Sequence, residues 1–162
     1  MGFITRFESF VCEGDSLTCD VAGFEITACI VREFGGSENA PDKRQEGFWP
    51  SLYKDAPGFI GAGPNHRERF AEAQAKAQAV MEAWRKGEWF YCGIVLSVAF
   101  EGVLLDDHAA SLWGIEANYP DSDNAYLTDV ANELLPEALD VGRAILARLT
   151  ARAAALGDGA SP

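Results

Sequence analysis

The sequence predicts an α+β fold: an antiparallel sheet in the order β-β-β-α-β-β-α, with two helices packed on one face. Three observations predict it. Residues 89–100 are almost all apolar and show no two-residue alternation, as in a strand covered on both faces. Residues 16–32 alternate between polar and apolar side chains around a central Ala-Gly pair. Two further segments, 66–86 and 123–149, carry apolar residues at helical spacing.

The length and composition predict a single domain over residues 1–156, followed by a frayed tail over residues 157–162. No apolar run reaches the roughly 20 residues that a membrane-spanning helix needs. The first ten residues do not follow the pattern of a signal peptide. The four cysteines have no CxxC spacing, so we expect reduced thiols in a cytoplasmic protein.

The N-terminal third is expected to hold a strand over residues 3–11 and then a hairpin. A two-residue loop at 22–23 places Cys19 opposite Ile26. That register keeps Cys19 away from Cys29, which argues against a disulfide between them.

Residues 33–65 have no usable period and are rich in glycine, proline and aromatic residues. The aromatic side chains of such a long loop either fold back over the core or form a contact surface. Asn65 is predicted to cap the first long helix, with Glu68 completing a capping box and Gly87 ending the helix.

The C-terminal half is predicted to begin with a hairpin that turns at residues 101–102. A turn cluster then leads into the last helix, for which Ser122 or Asp123 is the expected N-cap. Pro136 lies inside the helical pattern, so we expect it to kink the helix or divide it in two.

The net charge of −12 is unevenly distributed, because no lysine or arginine occurs between Lys86 and Arg143. We predict an acidic interaction surface in this part of the chain. Its field would repel nucleic acid and membranes and attract a basic protein surface, although a merely solubilising face is the alternative. The predicted members are Asp106, Asp107, Glu116, Asp121, Asp123, Asp129, Glu133, Glu137 and Asp140.

Asp106, Asp107 and His108 form the one carboxylate–imidazole cluster of the sequence. These side chains could hold a metal or transfer protons if other ligands converged on them. The sequence shows no ligand spacing typical of such a site, so we predict no cofactor, no catalytic residue and a non-enzymatic protein. A small metal-dependent enzyme or metal-binding protein using this cluster is the alternative.

Three aromatic residues of the apolar hairpin are predicted to form contacts between two copies of the chain: Trp89, Tyr91 and Trp113. The second face of an all-apolar strand needs a cover, which the long loop or a second subunit could supply. A homodimer is therefore a further expectation.

Three sequence features occur together: a W-x-Y-x-G strand, the segment SLWGIE and a YL-x-x-VA-x-EL helix. Over roughly residues 15–140 this combination resembles a family of uncharacterised proteins encoded by bacteriophages, plasmids and other mobile elements. The resemblance implies a genomic setting without an assigned reaction. It favours an anti-defence inhibitor, of the anti-CRISPR or antirestriction kind, that docks its acidic half on a basic nucleic-acid-binding surface of a host protein. A structural or maintenance protein of the element is the second alternative.

Overall fold

The computed structural model describes residues 2–159, which form two compact units. The first unit holds residues 2–33, 91–117 and 122–159, and the second holds residues 34–90 and 118–121. The predicted α+β class is confirmed by a four-stranded antiparallel sheet accompanied by helices. The order of elements differs from the prediction, because one predicted strand is absent and a short additional helix is present.

The sheet has the strand order β1-β2-β3-β4. Its strands are β1 (Ser16–Val21), β2 (Phe24–Arg32), β3 (Phe90–Phe100) and β4 (Val103–Ala117). Both hairpins turn on two residues with positive φ, which are 52° and 85° at Ala22 and Gly23 and 50° and 77° at Glu101 and Gly102. Two successive positive φ angles define the type I′ turn, whose twist matches that of the strands it joins.

The predicted register of the first hairpin is confirmed. Cys19 pairs with Ile26, while Cys29 lies opposite Ser16. All four cysteines are free thiols. On its other side, β2 pairs with β3, where Ile26 lies opposite Val98.

The central strand β3 is buried along residues 90–96, which confirms the predicted cover on both of its faces. On one face, α3 (Ala125–Gly159) approaches so closely that a Cβ on Gly142 would lie 2.8 Å from the Val98 side chain. On the other face, a Cβ on Gly93 would overlap the indole ring of Trp113. Gly93 therefore supplies the space in which that indole lies on the sheet.

The predicted strand over residues 3–11 is wrong, because this segment contains no regular secondary structure. Its backbone is instead hydrogen-bonded to side chains of α3. The Phe3 N–H donates to Asn132 Oδ1 at 2.9 Å, and the Phe7 N–H donates to Thr128 Oγ1 at 3.0 Å. The backbone donors thus find partners without a neighbouring strand, and the side chains of Phe3 and Phe7 are buried.

In the second unit, α1 (Pro41–Arg44) follows a single 3-10 turn, and α2 (His66–Arg85) carries the predicted apolar stripe, buried at Val80 and Met81. The predicted capping box is wrong. Asn65 has a left-handed backbone with φ of 59° and makes no side-chain cap hydrogen bond. The aromatic residues of this unit divide between burial and exposure, since Phe48 is half-buried and Tyr53 is 79% exposed.

α3 is one continuous helix, so of the two expectations for Pro136, a kink or a division, the division does not occur. The buried Leu135 and Leu139 on either side of the proline explain why the loss of one backbone hydrogen bond is tolerated. Of the two predicted N-caps, Asp123 accepts a hydrogen bond from the N–H of Ala125, the first residue of the helix, while buried Asn124 lies between them. Of the predicted frayed tail, residues 157–159 are helical and residues 160–162 lie outside the described residues. None of the described helices combines the length and apolar character needed to cross a membrane.

Candidate binding surface

The outward side of α3 carries a row of carboxylates, which we call the acidic face. The inward side of the helix buries four residues spaced by four, four and three positions: Leu127, Ala131, Leu135 and Ala138. The acidic face repeats the same spacing two positions later with four exposed residues: Asp129, Glu133, Glu137 and Asp140. Residues two positions apart lie about 200° apart around a helix. The pattern that anchors the helix on the sheet therefore also turns these carboxylates to solvent.

The two ends of the acidic face are partly neutralised. Asp129 lies 3.6 Å from an Arg6 nitrogen, and Asp140 lies 3.7 Å from an Arg143 nitrogen, with all four side chains more than half exposed. Exposed pairs of this kind contribute little and exchange readily with solvent or with another partner. Glu133 and Glu137, at the centre, make no ion pair with any residue in the range 2–159.

The structure does not gather the remaining predicted acids on this face. Asp106, Asp107 and Glu116 lie on β4, and Asp121 lies in the second unit. Asp123 accepts a hydrogen bond from the Ala125 N–H at 3.0 Å, so its carboxylate satisfies a free backbone donor at the start of α3. Of the nine predicted members, the four on α3 therefore form a continuous surface.

Glu116 differs from the other predicted acids because it is half-buried next to other ionisable groups. Burial raises its pKa above the ordinary carboxyl value. Burial also raises the pKa of Tyr126 to about 12, and the charges of Glu116 and Cys92 add to that rise while the Ser122 hydroxyl opposes it. The Cys92 thiol is likewise shifted to a pKa of about 12, chiefly by burial and further by the Glu33 carboxylate. Such a thiol stays protonated at neutral pH and is inert as a nucleophile.

We predict that Glu116→Gln stabilises the protein at pH 7. Because the folded state holds the Glu116 proton more tightly than the unfolded state, native stability falls as the pH rises from 4.5 through the folded-state pKa. The neutral amide of glutamine removes this loss. The gain in the free energy of unfolding should therefore be full at neutral pH and should vanish below the unfolded-state pKa of the glutamate. Urea unfolding across this pH range measures it. The exposed Glu72→Gln is the control, and an equal gain in both variants at neutral pH would contradict the explanation by burial.

The predicted cluster of Asp106, Asp107 and His108 does not converge as a metal site. Asp106 Oδ1 accepts the backbone N–H of His108 at 2.8 Å, and the His108 ring turns instead toward Ser111. Within the part of the chain that the structure describes, no three side chains of the metal-ligating types lie close enough to hold an ion. The described residues around Asp106, Asp107 and His108 therefore do not form a metal-binding geometry.

Sequence reasoning missed a hydrogen-bonded cluster on β4. His108 Nε2 and Ser111 Oγ lie 2.8 Å apart, and the indole N–H of Trp113 donates to the same Ser111 oxygen at 3.2 Å. The rings of His108 and Trp113 are stacked, with centroids 6.4 Å apart. The segment SLWGIE, which contains Ser111 and Trp113, had been singled out in the sequence. Its residue pattern does not reveal that the His108 imidazole contacts Ser111.

The chemistry of this cluster follows from the donors. Because the Trp113 N–H can only donate, the Ser111 oxygen accepts it, and the tautomer of the imidazole decides whether Ser111 or His108 Nε2 supplies the proton between them. A nucleophile–base pair of this kind also requires a group that orients the imidazole and donors for an oxyanion. The Asp106 carboxylate binds a backbone N–H instead, and the Gly114 N–H donates to the Glu33 carboxylate. The cluster therefore serves to hold Trp113 against the sheet.

Two of the three predicted oligomer contacts are wrong. Trp89 is 1% exposed and Tyr91 is 8% exposed, so both are buried within the chain and cannot contact a second copy. Trp113 is 43% exposed, but its ring already covers Gly93.

Comparison of the chain with models of protein families, with curated proteins and with solved structures gave no match. Function is therefore inferred from the chain's own surface. Among the features above, the acidic face combines exposure, a single sign of charge and a rigid helical scaffold.

Proposed function

We propose that this protein is a non-enzymatic interaction protein that docks the acidic face of α3 on a basic surface of another protein. The observation that carries the proposal is the exposure of four carboxylates at helical spacing, with Glu133 and Glu137 unpaired among the described residues at its centre. A surface that normally binds nucleic acid presents the complementary arginines and lysines. The partner class that we propose is a defence nuclease, produced by a cell that hosts a mobile element.

The overall charge supports this mode of binding. With a net charge of −12, the chain is attracted to a basic partner before contact, which raises the rate of association. The attraction between exposed charges is screened within about 10 Å at 0.1 M salt. Binding through the acidic face should therefore weaken steeply as salt is added.

We predict that the double variant Glu133→Lys, Glu137→Lys loses roughly tenfold or more in affinity for an arginine-rich peptide at low salt. Each reversal replaces an attraction of up to about 1 kcal/mol by a repulsion, and 1.4 kcal/mol corresponds to tenfold in affinity. Fluorescence anisotropy of a labelled peptide, repeated over a salt series, measures the effect.

The control is Glu68→Lys, Glu72→Lys on α2. It makes the same change of net charge at the same four-residue spacing on an exposed helix surface. We expect it to weaken binding only about twofold, through the overall field. Equal losses in the two variants would show that net charge alone is responsible, and binding that is insensitive to salt would rule out docking by the acidic face.

A further inference from the structure

The last part of α3 extends beyond the body of the first unit. Every residue from 147 to 158 is exposed, whereas buried residues recur along the helix up to Gly142. Twelve residues of helix are about 18 Å long. Helical segments of this length are marginally stable in water unless another surface packs against them.

A groove runs along this extension where α3 leaves the sheet. Its volume is about 590 Å³, and the ring of Phe24 and the side chain of Leu146 form its apolar wall. The remaining lining residues come from the same side of α3: Arg143, Ala147, Thr150, Ala151 and Ala154. Small side chains along the helix leave room for another backbone to approach.

The groove-lining side of α3 is complementary to itself in the antiparallel direction. Two antiparallel copies that cross between positions 150 and 151 place Ala147 of each copy against Ala154 of the other. The same alignment places Arg143 of each copy against Asp158 of the other, and both of these side chains are exposed. Within residues 2–159, the ion pair of Arg143 is with the exposed Asp140, at 3.7 Å.

We propose that the groove is occupied by α3 of a second copy, so that two chains pair antiparallel as a two-fold dimer. The opposite charges at the two ends of the groove select this occupant and this direction, because a parallel pair would place Arg143 against Arg143. An isologous interface requires that kind of self-complementarity. The acidic face lies on residues 129–140, outside the paired segment, so the dimer does not rest on the proposed function.

Ala151→Glu tests the groove. A charged side chain in the seam should weaken the dimer at least about tenfold, by analogy with the cost of burying an unpaired charge. Leu156→Glu is the control, because it introduces the same side chain on the same exposed segment, about 140° around the helix from Ala151 and away from the groove. Sedimentation equilibrium should show the wild-type chain and Leu156→Glu passing from 17.5 kDa to twice that mass as concentration rises, with Ala151→Glu remaining at 17.5 kDa. A wild-type chain that stays at 17.5 kDa, or equal dimerisation of the two variants, would overturn the proposal.

A charge exchange tests the direction. Arg143→Asp and Asp158→Arg should each weaken the dimer, since each places like charges together at both ends of the seam. The double variant restores opposite charges and should recover most of the wild-type association. A double variant weaker than either single variant would exclude the antiparallel pairing.

Discussion

Replacing Trp89 with alanine is expected to lower the free energy of unfolding by about 3–5 kcal/mol. The side chain is 1% exposed, and its indole N–H donates to the Val80 carbonyl at 2.8 Å. Its ring meets that of Tyr119 edge-on, with centroids 5.0 Å apart. Truncation would open a large cavity and remove an aromatic contact and a buried hydrogen bond in one step. Urea denaturation followed by circular dichroism measures the loss.

Two companion variants separate these contributions. Trp89→Phe keeps a ring but removes the donor to Val80, so we expect it to cost less than the alanine variant, about 1–3 kcal/mol. Tyr53→Ala removes an aromatic ring that is 79% exposed and should change stability by no more than about 0.5 kcal/mol. Similar losses for Trp89→Ala and Tyr53→Ala would show that Trp89 does not anchor the second unit.

The second large effect is expected at Gly93, where alanine should destabilise the protein by about 1–3 kcal/mol. The added Cβ would overlap the indole of Trp113, which must then leave the sheet and give up its hydrogen bond to Ser111. Nothing lies within 4 Å of a Cβ built on Gly36, whose φ of −75° suits any residue. Gly36→Ala is therefore the matched control and should be neutral or slightly stabilising.

A double-mutant cycle identifies the cause of the Gly93 effect. In a Trp113→Ala background the overlap disappears, so Gly93→Ala should be nearly neutral there, and the coupling between the two sites should account for most of the single-variant loss. Additive losses would mean that the backbone of β3, rather than the indole, demands glycine at this position.

The parts of the fold that were predictable from sequence depend on local rules. The register that pairs Cys19 with Ile26 follows from alternation and a two-residue turn, and both act between close neighbours in the chain. The irregular N-terminal segment was not predictable. Its backbone donors bind side chains about 120 positions away, as Phe7 binds Thr128, and a local pattern contains no information about such partners.

The candidate surface shows the same division. The lack of lysine and arginine between Lys86 and Arg143 was enough to predict an acidic surface that includes the four carboxylates of α3. The sequence did not show which of the predicted acids would lie outside this surface. Asp106 binds a backbone N–H and Glu116 is half-buried, and both facts depend on the folded structure. The contact between His108 and Ser111 was also hidden, because residues three apart point to opposite faces of a regular strand. Gly114 has a φ of 77° nearby, which marks the departure of β4 from regular geometry.

The unbroken course of α3 past Pro136 has a mechanical consequence. The acidic face and the groove belong to one continuous helix, so neither can reorient without the other. In the antiparallel pair proposed above, the centres of the two acidic faces would be held about 50 Å apart. Such a bivalent particle would bind a target carrying two suitably spaced basic patches with an avidity far above the affinity of a single arm.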